Sequence, residues 1–156
     1  METTLLIVKP DGVQRALVGR IISRFEDKGL TLVGMKMMVI SQQLAATHYA
    51  EHQSKGFYAG LVRFMTSGPV VVLAVRGVGA IAMARKMMGH TFGPKSEPGT
   101  IRGDFGASNS FNLIHGSDSP EAAQRELGLF FGKGEVQEYT PVALPWIYDA
   151  AEELKG

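Results

Sequence analysis

The chain changes from a strand pattern to a helix pattern within one polar stretch, Asn112-Leu113-Ile114-His115-Gly116-Ser117-Asp118-Ser119. Its first three residues suit the end of a strand. Ser119 and the following Pro120 suit the start of a helix, because serine caps free backbone N–H groups and proline fits the first helical position. His115 is thus predicted where a strand ends, shortly before a helix N-terminus, a place that favours anions. Spacing alone leaves two interpretations open, a nucleophile for phosphoryl groups and an ordinary loop histidine.

The rest of the chain alternates between strand and helix patterns around this stretch. Strands are predicted at residues 4–8, 30–40, 70–75 and 111–114. Helical spacing occurs at residues 17–25, 41–49, 57–65, 80–88 and 119–131. This order predicts an α+β fold, the ferredoxin-like βαββαβ sandwich, with a four-stranded antiparallel sheet and helices packed on one face of it. We expect a single domain over residues 1–156, without repeats or linkers.

One motif favours a different fold, the doubly wound parallel sheet. Gly77-Val78-Gly79-Ala80-Ile81-Ala82 matches the dinucleotide-binding pattern, follows a predicted strand and opens a helix. However, the helix leads into a Gly- and Pro-rich segment, residues 89–106, rather than into a second parallel strand. Residues 128–134 contain a Gly-Lys pair but lack the spacing and the hydroxyl of a phosphate-binding P-loop. We therefore prefer the antiparallel plan, and expect the long segment to be a functional loop.

Composition restricts the classes of function. The 156 residues are 45% hydrophobic, carry a net charge of +1 and include no cysteine, so the sequence indicates a packed core without disulfides. The small charge gives no reason to expect nucleic acid or a membrane surface as a required partner. His48 and His52 are four apart, but no third ligand accompanies them, so no protein metal site is expected. No signal peptide or membrane span is evident, and the expected location is the cytoplasm.

Several polar residues at predicted element ends are suited to phosphoryl chemistry. Phosphoryl transfer needs positioning and cations that offset charge on the phosphate oxygens. Lys9, Arg85 and Arg102 are the candidate cations, although for any one of them alone a solvated surface charge is the preferred interpretation. A nucleophilic histidine also needs a partner for its second ring nitrogen, and either Glu126 on the following helix or a backbone carbonyl could supply it. Phe57, at a helix start, is either a core residue or a stacking surface for a base.

The chain closely resembles the nucleoside diphosphate kinases along nearly its whole length. The matching segments, in order, are Lys9-Pro10-Asp11-Gly12-Val13, Phe57-Tyr58-Ala59-Gly60-Leu61, Ser67-Gly68-Pro69-Val70, Pro98-Gly99-Thr100-Ile101-Arg102-Gly103-Asp104-Phe105 and the highly specific stretch from Asn112 to Ser119. The resemblance implies an enzyme that transfers the γ-phosphate of a nucleoside triphosphate, chiefly ATP, to diphosphates such as GDP. Such an enzyme balances the ribo- and deoxyribonucleoside triphosphate pools by a ping-pong mechanism. The family fold is the ferredoxin-like plan.

The resemblance also assigns roles to individual residues. It implies that His115 is the phosphorylated nucleophile, with Ser117 beside its ring. Lys9 should contact the transferred phosphate and the sugar 3′-hydroxyl, and Asn112 the same hydroxyl. The remaining roles are phosphate binding by Arg85, Thr91 and Arg102, orientation of Lys9 and His115 by Tyr49 and Glu126, and contact with the base by Phe57 and Leu61. The family's Mg²⁺ is held chiefly by nucleotide phosphates and water, so no protein metal ligand is implied.

Three features depart from the family pattern. The loop after Thr91 continues Phe92-Gly93-Pro94, with its proline moved by one residue, and Phe111 stands where arginine is frequent. The tail from Ala143 to Tyr148 resembles the longer C-termini of hexameric members, but Asp149 to Gly156 extends past the usual end. Residues 143–156 are expected to pack on a neighbouring subunit. The resemblance therefore implies a homo-oligomer, with a hexamer favoured over a tetramer. A non-catalytic nucleotide sensor or scaffold of the same fold is the alternative function.

Overall fold

Four strands form one antiparallel sheet in the computed structural model, which describes residues 1–151 and 153–154. The strands are β1 (Glu2–Val8), β2 (Thr31–Val39), β3 (Pro69–Gly77) and β4 (Ile114–Gly116), in the spatial order β2-β3-β1-β4. All three pairings are antiparallel, and a β-bulge lies between Leu32 and Gly34. The predicted ferredoxin-like plan is confirmed, and the parallel dinucleotide-binding plan is wrong for this chain.

Seven α-helices join and cover these strands within the described residues. They are α1 (Pro10–Gln14), α2 (Val18–Asp27), α3 (Gln42–His48), α4 (Tyr58–Met65), α5 (Ala80–Met88), α6 (Ile101–Phe105) and α7 (Pro120–Phe130). No helix among residues 1–151 and 153–154 is both long and apolar enough to cross a bilayer.

The helices lie on both faces of the sheet rather than on the one face expected. Leu6 and Leu73 pack with Phe25 of α2 and Ala84 of α5 in one core. Their strand neighbours, such as Leu5, point the other way, into a second core that includes residues from α3, α4 and α7. Successive side chains of a strand point to opposite faces, and both faces here are covered. This explains why β1 and β3 are almost continuously apolar.

Two segments with the composition of turns or loops contain helices. Lys9-Pro10-Asp11-Gly12 has proline and glycine as turns do, but Pro10 begins α1 and Lys9 is its extended N-cap residue. The segment 89–106 was expected as a long loop, yet it contains a 3-10 turn, Gly93–Lys95, and α6. The side chain of Thr100 accepts a hydrogen bond from the Gly103 N–H and thereby caps α6.

The last strand begins three residues later than predicted. It covers Ile114–Gly116, so His115 lies within β4 and pairs with Ile7 instead of following the strand end. Phe111 is exposed and outside the strand, and Leu113 has a left-handed backbone with φ of 72°. That conformation is held from both sides, because the Leu113 N–H donates to Asp11 and its carbonyl accepts from the Lys9 N–H.

The tail packs partly on its own chain. The Tyr148 side chain is 8% exposed, and its hydroxyl accepts a hydrogen bond from the Val78 N–H. Trp146 and Val142 point outward and are 92% and 97% exposed. Residues 152, 155 and 156 of the predicted C-terminal extension lie outside the described residues.

Candidate functional site

His115 sits at the floor of a cavity of about 410 Å³. Pairing of β4 with β1 fixes its backbone, and its side chain is 21% exposed. The cavity walls come from the end of α3, the segment after it, α5, and the start of α7. They include Tyr49, Arg85 and Glu126, together with Arg125 at the rim. A small polar ligand can therefore reach the imidazole from solvent.

One ring nitrogen of His115 is held by a buried carboxylate. Its Nε2 lies 3.0 Å from Oε2 of Glu126, and the same oxygen accepts a hydrogen bond of 2.6 Å from the Ser117 hydroxyl. Burial raises the pKa of Glu126, but the hydrogen bonds from His115 and Ser117 and the nearby charges outweigh it and bring that pKa to about 2. Glu126 is thus an acceptor at neutral pH, which favours a proton on Nε2.

The other nitrogen, Nδ1, makes no hydrogen bond to any residue in the described parts of the chain. With the proton on Nε2, Nδ1 carries a lone pair. An imidazole held in this way can attack an electrophile in the cavity without first losing a proton. The site therefore supplies an oriented nucleophile.

His48 packs directly against this pair. It is 4% exposed, and its ring centroid lies 4.8 Å from that of His115. Its Nδ1 is 3.9 Å from Oε1 of Glu126, but burial lowers the pKa of His48 to about 3, so this approach is not an ion pair at neutral pH. Neither ring nitrogen has a hydrogen-bond partner within the described residues. No pattern in the sequence indicates this contact, since His48 and His115 are far apart in the chain.

Tyr49 lines the cavity but does not contact Lys9 by a hydrogen bond. Its hydroxyl is buried and has no partner among the described residues, and burial raises the pKa of Tyr49 above its ordinary value. The expected orientation of Lys9 by Tyr49 is therefore absent from this hydrogen-bond network.

Lys9 is oriented by Asn112 instead. Its Nζ donates a 2.6 Å hydrogen bond to the Asn112 side-chain oxygen, and the Asn112 amide donates to the Thr91 carbonyl at 2.8 Å. Burial, followed by the charge of Arg102, lowers the pKa of Lys9 to about 8. This network joins the end of β1, the residues before β4 and the exposed loop at Thr91.

Arg102 is buried and bonds to backbone carbonyls around β4. Its guanidinium donates to the carbonyls of Asn112 at 3.0 Å, Ile114 at 2.6 Å and Gly89 at 3.1 Å. Burial and then the charge of Arg85 lower the pKa of Arg102 to about 10, so it stays charged at neutral pH. Three of its five N–H groups are engaged, so Arg102 fixes the backbone beside His115 and retains donors for an anion.

The two residues expected at the base lie outside the cavity wall. Phe57 precedes α4, is 57% exposed and packs against the ring of His52 with centroids 5.5 Å apart. Leu61 is one turn further along α4 and is half-buried. The structure thus places an exposed aromatic face near His52, which does line the cavity.

The side chains of this site fit Mg²⁺ only when the ion arrives already bound to the phosphates of a ligand. The group of close metal-binding side chains within the described residues is His48, His115 and Glu126. Two imidazoles and one carboxylate are a poor match for Mg²⁺, which prefers six oxygens and keeps several waters. Lys9, Arg85 and Arg102 can instead bind phosphate oxygens that would carry the ion.

Comparisons with known proteins agree on one family. The family described as nucleoside diphosphate kinase matches residues 2–136. A nucleoside diphosphate kinase of Acaryochloris marina is 57% identical over 149 residues, covering 96% of this chain and all of that protein. One from Halalkalibacterium halodurans is 54% identical over 147 residues, covering 94% of this chain and all of that protein.

Solved structures of that family share the fold. A halophilic nucleoside diphosphate kinase from Halobacterium salinarum, solved in complex with CDP, superposes with a TM-score of 0.93 and is 48% identical. The match covers 95% of this chain and 99% of that one. A nucleoside diphosphate kinase family protein from Babesia bovis gives a TM-score of 0.91 at 42% identity, over 95% of this chain and all of that one.

Proposed function

The chain belongs to the nucleoside diphosphate kinase family, and from this premise we propose how its residues perform the transfer of a terminal phosphate from a nucleoside triphosphate to a nucleoside diphosphate. The observation that carries the proposal is the pair His115–Glu126, in which Nε2 is held and Nδ1 is left unbonded within the described residues. ATP is the chief proposed donor, and GDP and other diphosphates are the acceptors. The resulting exchange balances ribo- and deoxyribonucleoside triphosphate pools.

In the first half-reaction, Nδ1 of His115 attacks the γ-phosphorus. A nitrogen–phosphorus bond forms while the bond from the γ-phosphorus to its bridging oxygen breaks, and the nucleoside diphosphate leaves with that electron pair. The Nε2 proton stays in place, hydrogen-bonded to Glu126, so the buried carboxylate offsets positive charge on the phosphorylated ring. Ser117 holds Glu126 through the shared oxygen. In the second half, a terminal oxygen of another nucleoside diphosphate attacks the phosphohistidine and reverses the step.

The remaining proposed roles are binding and positioning. Lys9 and Asn112, joined by a 2.6 Å hydrogen bond, contact the transferred phosphate and the sugar 3′-hydroxyl. Arg85, Thr91 and Arg102 bind phosphate oxygens, and Tyr49 completes the cavity wall. Phe57 and Leu61 contact the base from α4. Mg²⁺, carried by the nucleotide phosphates and water, supplies further charge neutralisation when bound.

A labelling experiment tests the mechanism. The protein is incubated with γ-labelled ATP and Mg²⁺, freed of nucleotide, and exposed either to acid or to GDP. The label should be lost in acid, because a phosphoramidate is acid-labile, should transfer to GDP, and should be absent from His115→Ala. A label that is stable in acid would indicate a phosphoserine and would therefore assign the nucleophile to a serine. Nucleotide binding without label would favour the alternative, a non-catalytic nucleotide sensor or scaffold.

The proposal extends to assembly and location. A single domain over residues 1–156 is proposed to form a homo-oligomer, with a hexamer favoured over a tetramer. Met35, Met37 and Val39 are exposed in alternation along the edge strand β2, and Trp146 is exposed in the tail, so apolar surface is available for neighbouring subunits. The tail from residue 143 is proposed to contact one of them. The cytoplasm is the proposed location because its nucleotides are the substrates, with no nucleic acid or membrane required.

A further inference from the structure

We propose that His48, His115 and Glu126 form a binding site for a divalent transition metal, with Zn²⁺ as the ion that fits best, and that occupation of this site inhibits phosphoryl transfer. The three side chains come from α3, β4 and α7, and their ligand atoms all lie within 4.8 Å of one another. The inhibitory part rests on the function proposed above for His115, whereas the binding part does not.

The unsatisfied nitrogens of His48 point to a ligand. A buried polar atom without a hydrogen bond loses its hydration without compensation, so native proteins seldom leave one unpaired. His48 has both ring nitrogens in this condition within the described residues, and its side chain is only 1% exposed. A metal ion on one nitrogen would satisfy it directly.

The donor set selects the class of metal. Two imidazoles and a carboxylate form a common three-ligand zinc set, which leaves a fourth position open. Zinc bonds of about 2.0–2.2 Å place tetrahedral ligand atoms roughly 3.5 Å apart. His115 Nε2 and Glu126 Oε2 are 3.0 Å apart, His48 Nδ1 is 3.9 Å from Glu126 Oε1, and one donor atom of each residue lies within 4.8 Å of the other two, so the spacing is close to that of a zinc site. The magnesium that accompanies nucleotides is a poor competitor for imidazole.

The site also has an entry path. All three side chains line the 410 Å³ cavity, so an ion can arrive from solvent and keep water or a phosphate oxygen as its fourth ligand. Zn²⁺ on Nε2 of His115 would displace the proton of that nitrogen to Nδ1 or to solvent, and it would separate Nε2 from Glu126. The hydrogen bond that orients the nucleophile would then be replaced by metal bonds, and transfer would slow.

Direct binding is the first test. Protein free of nucleotide and of transition metals is kept in a buffer with excess Mg²⁺ and titrated with Zn²⁺ by calorimetry. A separate titration uses Co²⁺, whose visible absorption reports tetrahedral coordination. We expect one ion per chain. His48→Phe should weaken binding at least about tenfold, since mutation of a residue that only hydrogen-bonds to a metal ligand already lowers metal affinity by that factor. His52→Phe is the matched control, because His52 lines the same cavity but is outside the three-residue group. Absence of Zn²⁺ binding, or equal losses in the two variants, would overturn the site.

A second measurement uses only the wild-type protein, so its result does not depend on whether a variant folds. X-ray absorption at the zinc edge of the wild-type protein should show two imidazole ligands, and a spectrum with one or none contradicts the proposal. Transfer rates with and without Zn²⁺ then test the consequence. The transfer rate with Zn²⁺ should be well below the rate without it in the wild type, and the two rates should differ little in His48→Phe. Zinc that binds without slowing transfer would refute the inhibition, while the labelling experiment independently tests His115 as the carrier.

Discussion

The Nε2 atom of His115 lies 3.0 Å from the Oε2 atom of Glu126, and the two residues are eleven positions apart, one on β4 and one on α7. Glu126 is 4% exposed and accepts a second hydrogen bond from Ser117. Because the carboxylate of Glu126 accepts hydrogen bonds, the contact favours the proton on Nε2 of His115 and leaves Nδ1 with the lone pair.

Replacement of Glu126 by glutamine tests this contact. Glu126→Gln keeps the shape of the side chain but removes the negative charge that supports a positive imidazole, so kcat should fall about 100-fold with little change in KM. Glu121→Gln, at the exposed start of the same helix and on the same cavity, is the matched control and should retain its rate. Steady-state kinetics of both variants decide the matter; a change in KM alone would assign Glu126 to binding.

Lys9 should make stability depend on pH in the alkaline range. Its pKa is lowered from 10.5 to about 8, so the folded protein releases the proton before the unfolded chain does. The free energy of unfolding is therefore lower below pH 8, and it should rise by about 3 kcal/mol as the pH increases from about 8 to 10.5. Urea unfolding of the wild type should show this rise relative to Lys9→Met, which has no proton to lose. Parallel pH profiles of the two proteins would refute it.

Activity should respond to the same proton with the opposite sign. A protonated Lys9 offsets phosphate charge, so kcat/KM should decline above pH 8 as the free enzyme loses this charge.

Phe57 should contribute to all nucleotides alike. Its ring is exposed, and stacking on a base is worth about 1–3 kcal/mol whichever base is present. Phe57→Ala should raise KM for adenine, guanine and pyrimidine nucleotides together, by about tenfold or more. Kinetics with four nucleoside diphosphates measure this, and a loss confined to one base would show that edge contacts provide the recognition.

Gly103 allows the backbone around Arg102 to pack closely. A Cβ atom there would overlap the carbonyl of Glu97, which cannot move as a flexible side-chain end could. Gly103→Ala should displace α6 and with it Arg102, lowering kcat/KM by about 100-fold, as small misplacements do. Gly60→Ala, within α4, is the control. The Cβ that alanine adds there meets no atom within 4 Å other than those of its own helix backbone and chain neighbours. That variant should gain about 0.5–1 kcal/mol in unfolding free energy. Similar kinetics for both variants would contradict the argument.

The tail and the edge strand predict the assembly. Light scattering should give the mass of six chains, and Trp146→Ala should shift it to a smaller species, because this 92% exposed indole is proposed to pack on a neighbour. A tetramer or dimer for the wild type would refute the hexamer and direct attention to the loop at Phe92 and Pro94.

The order of strands and helices and the family could be predicted without coordinates. The run at residues 70–75 was readable as a strand because it is short, continuously apolar and rich in β-branched valine, and the stretch from Asn112 to Ser119 is specific enough to identify the family. The helix N-cap at Ser119 was also readable, since capping depends on neighbours in the chain, and the Ser119 side chain does accept from the Ala122 N–H.

Contacts between residues that are distant in the chain could not be predicted in this way, because they arise from the packing of the whole fold. Local pattern could not show that Leu113 adopts a left-handed conformation, because that state depends on hydrogen bonds with Asp11 and Lys9 more than a hundred residues earlier. The burial of Arg102 against three carbonyls and the approach of His48 to Glu126 have the same origin. Periodicity records which face of an element is apolar, whereas the partner of a buried polar group is set by how the helices and strands pack together.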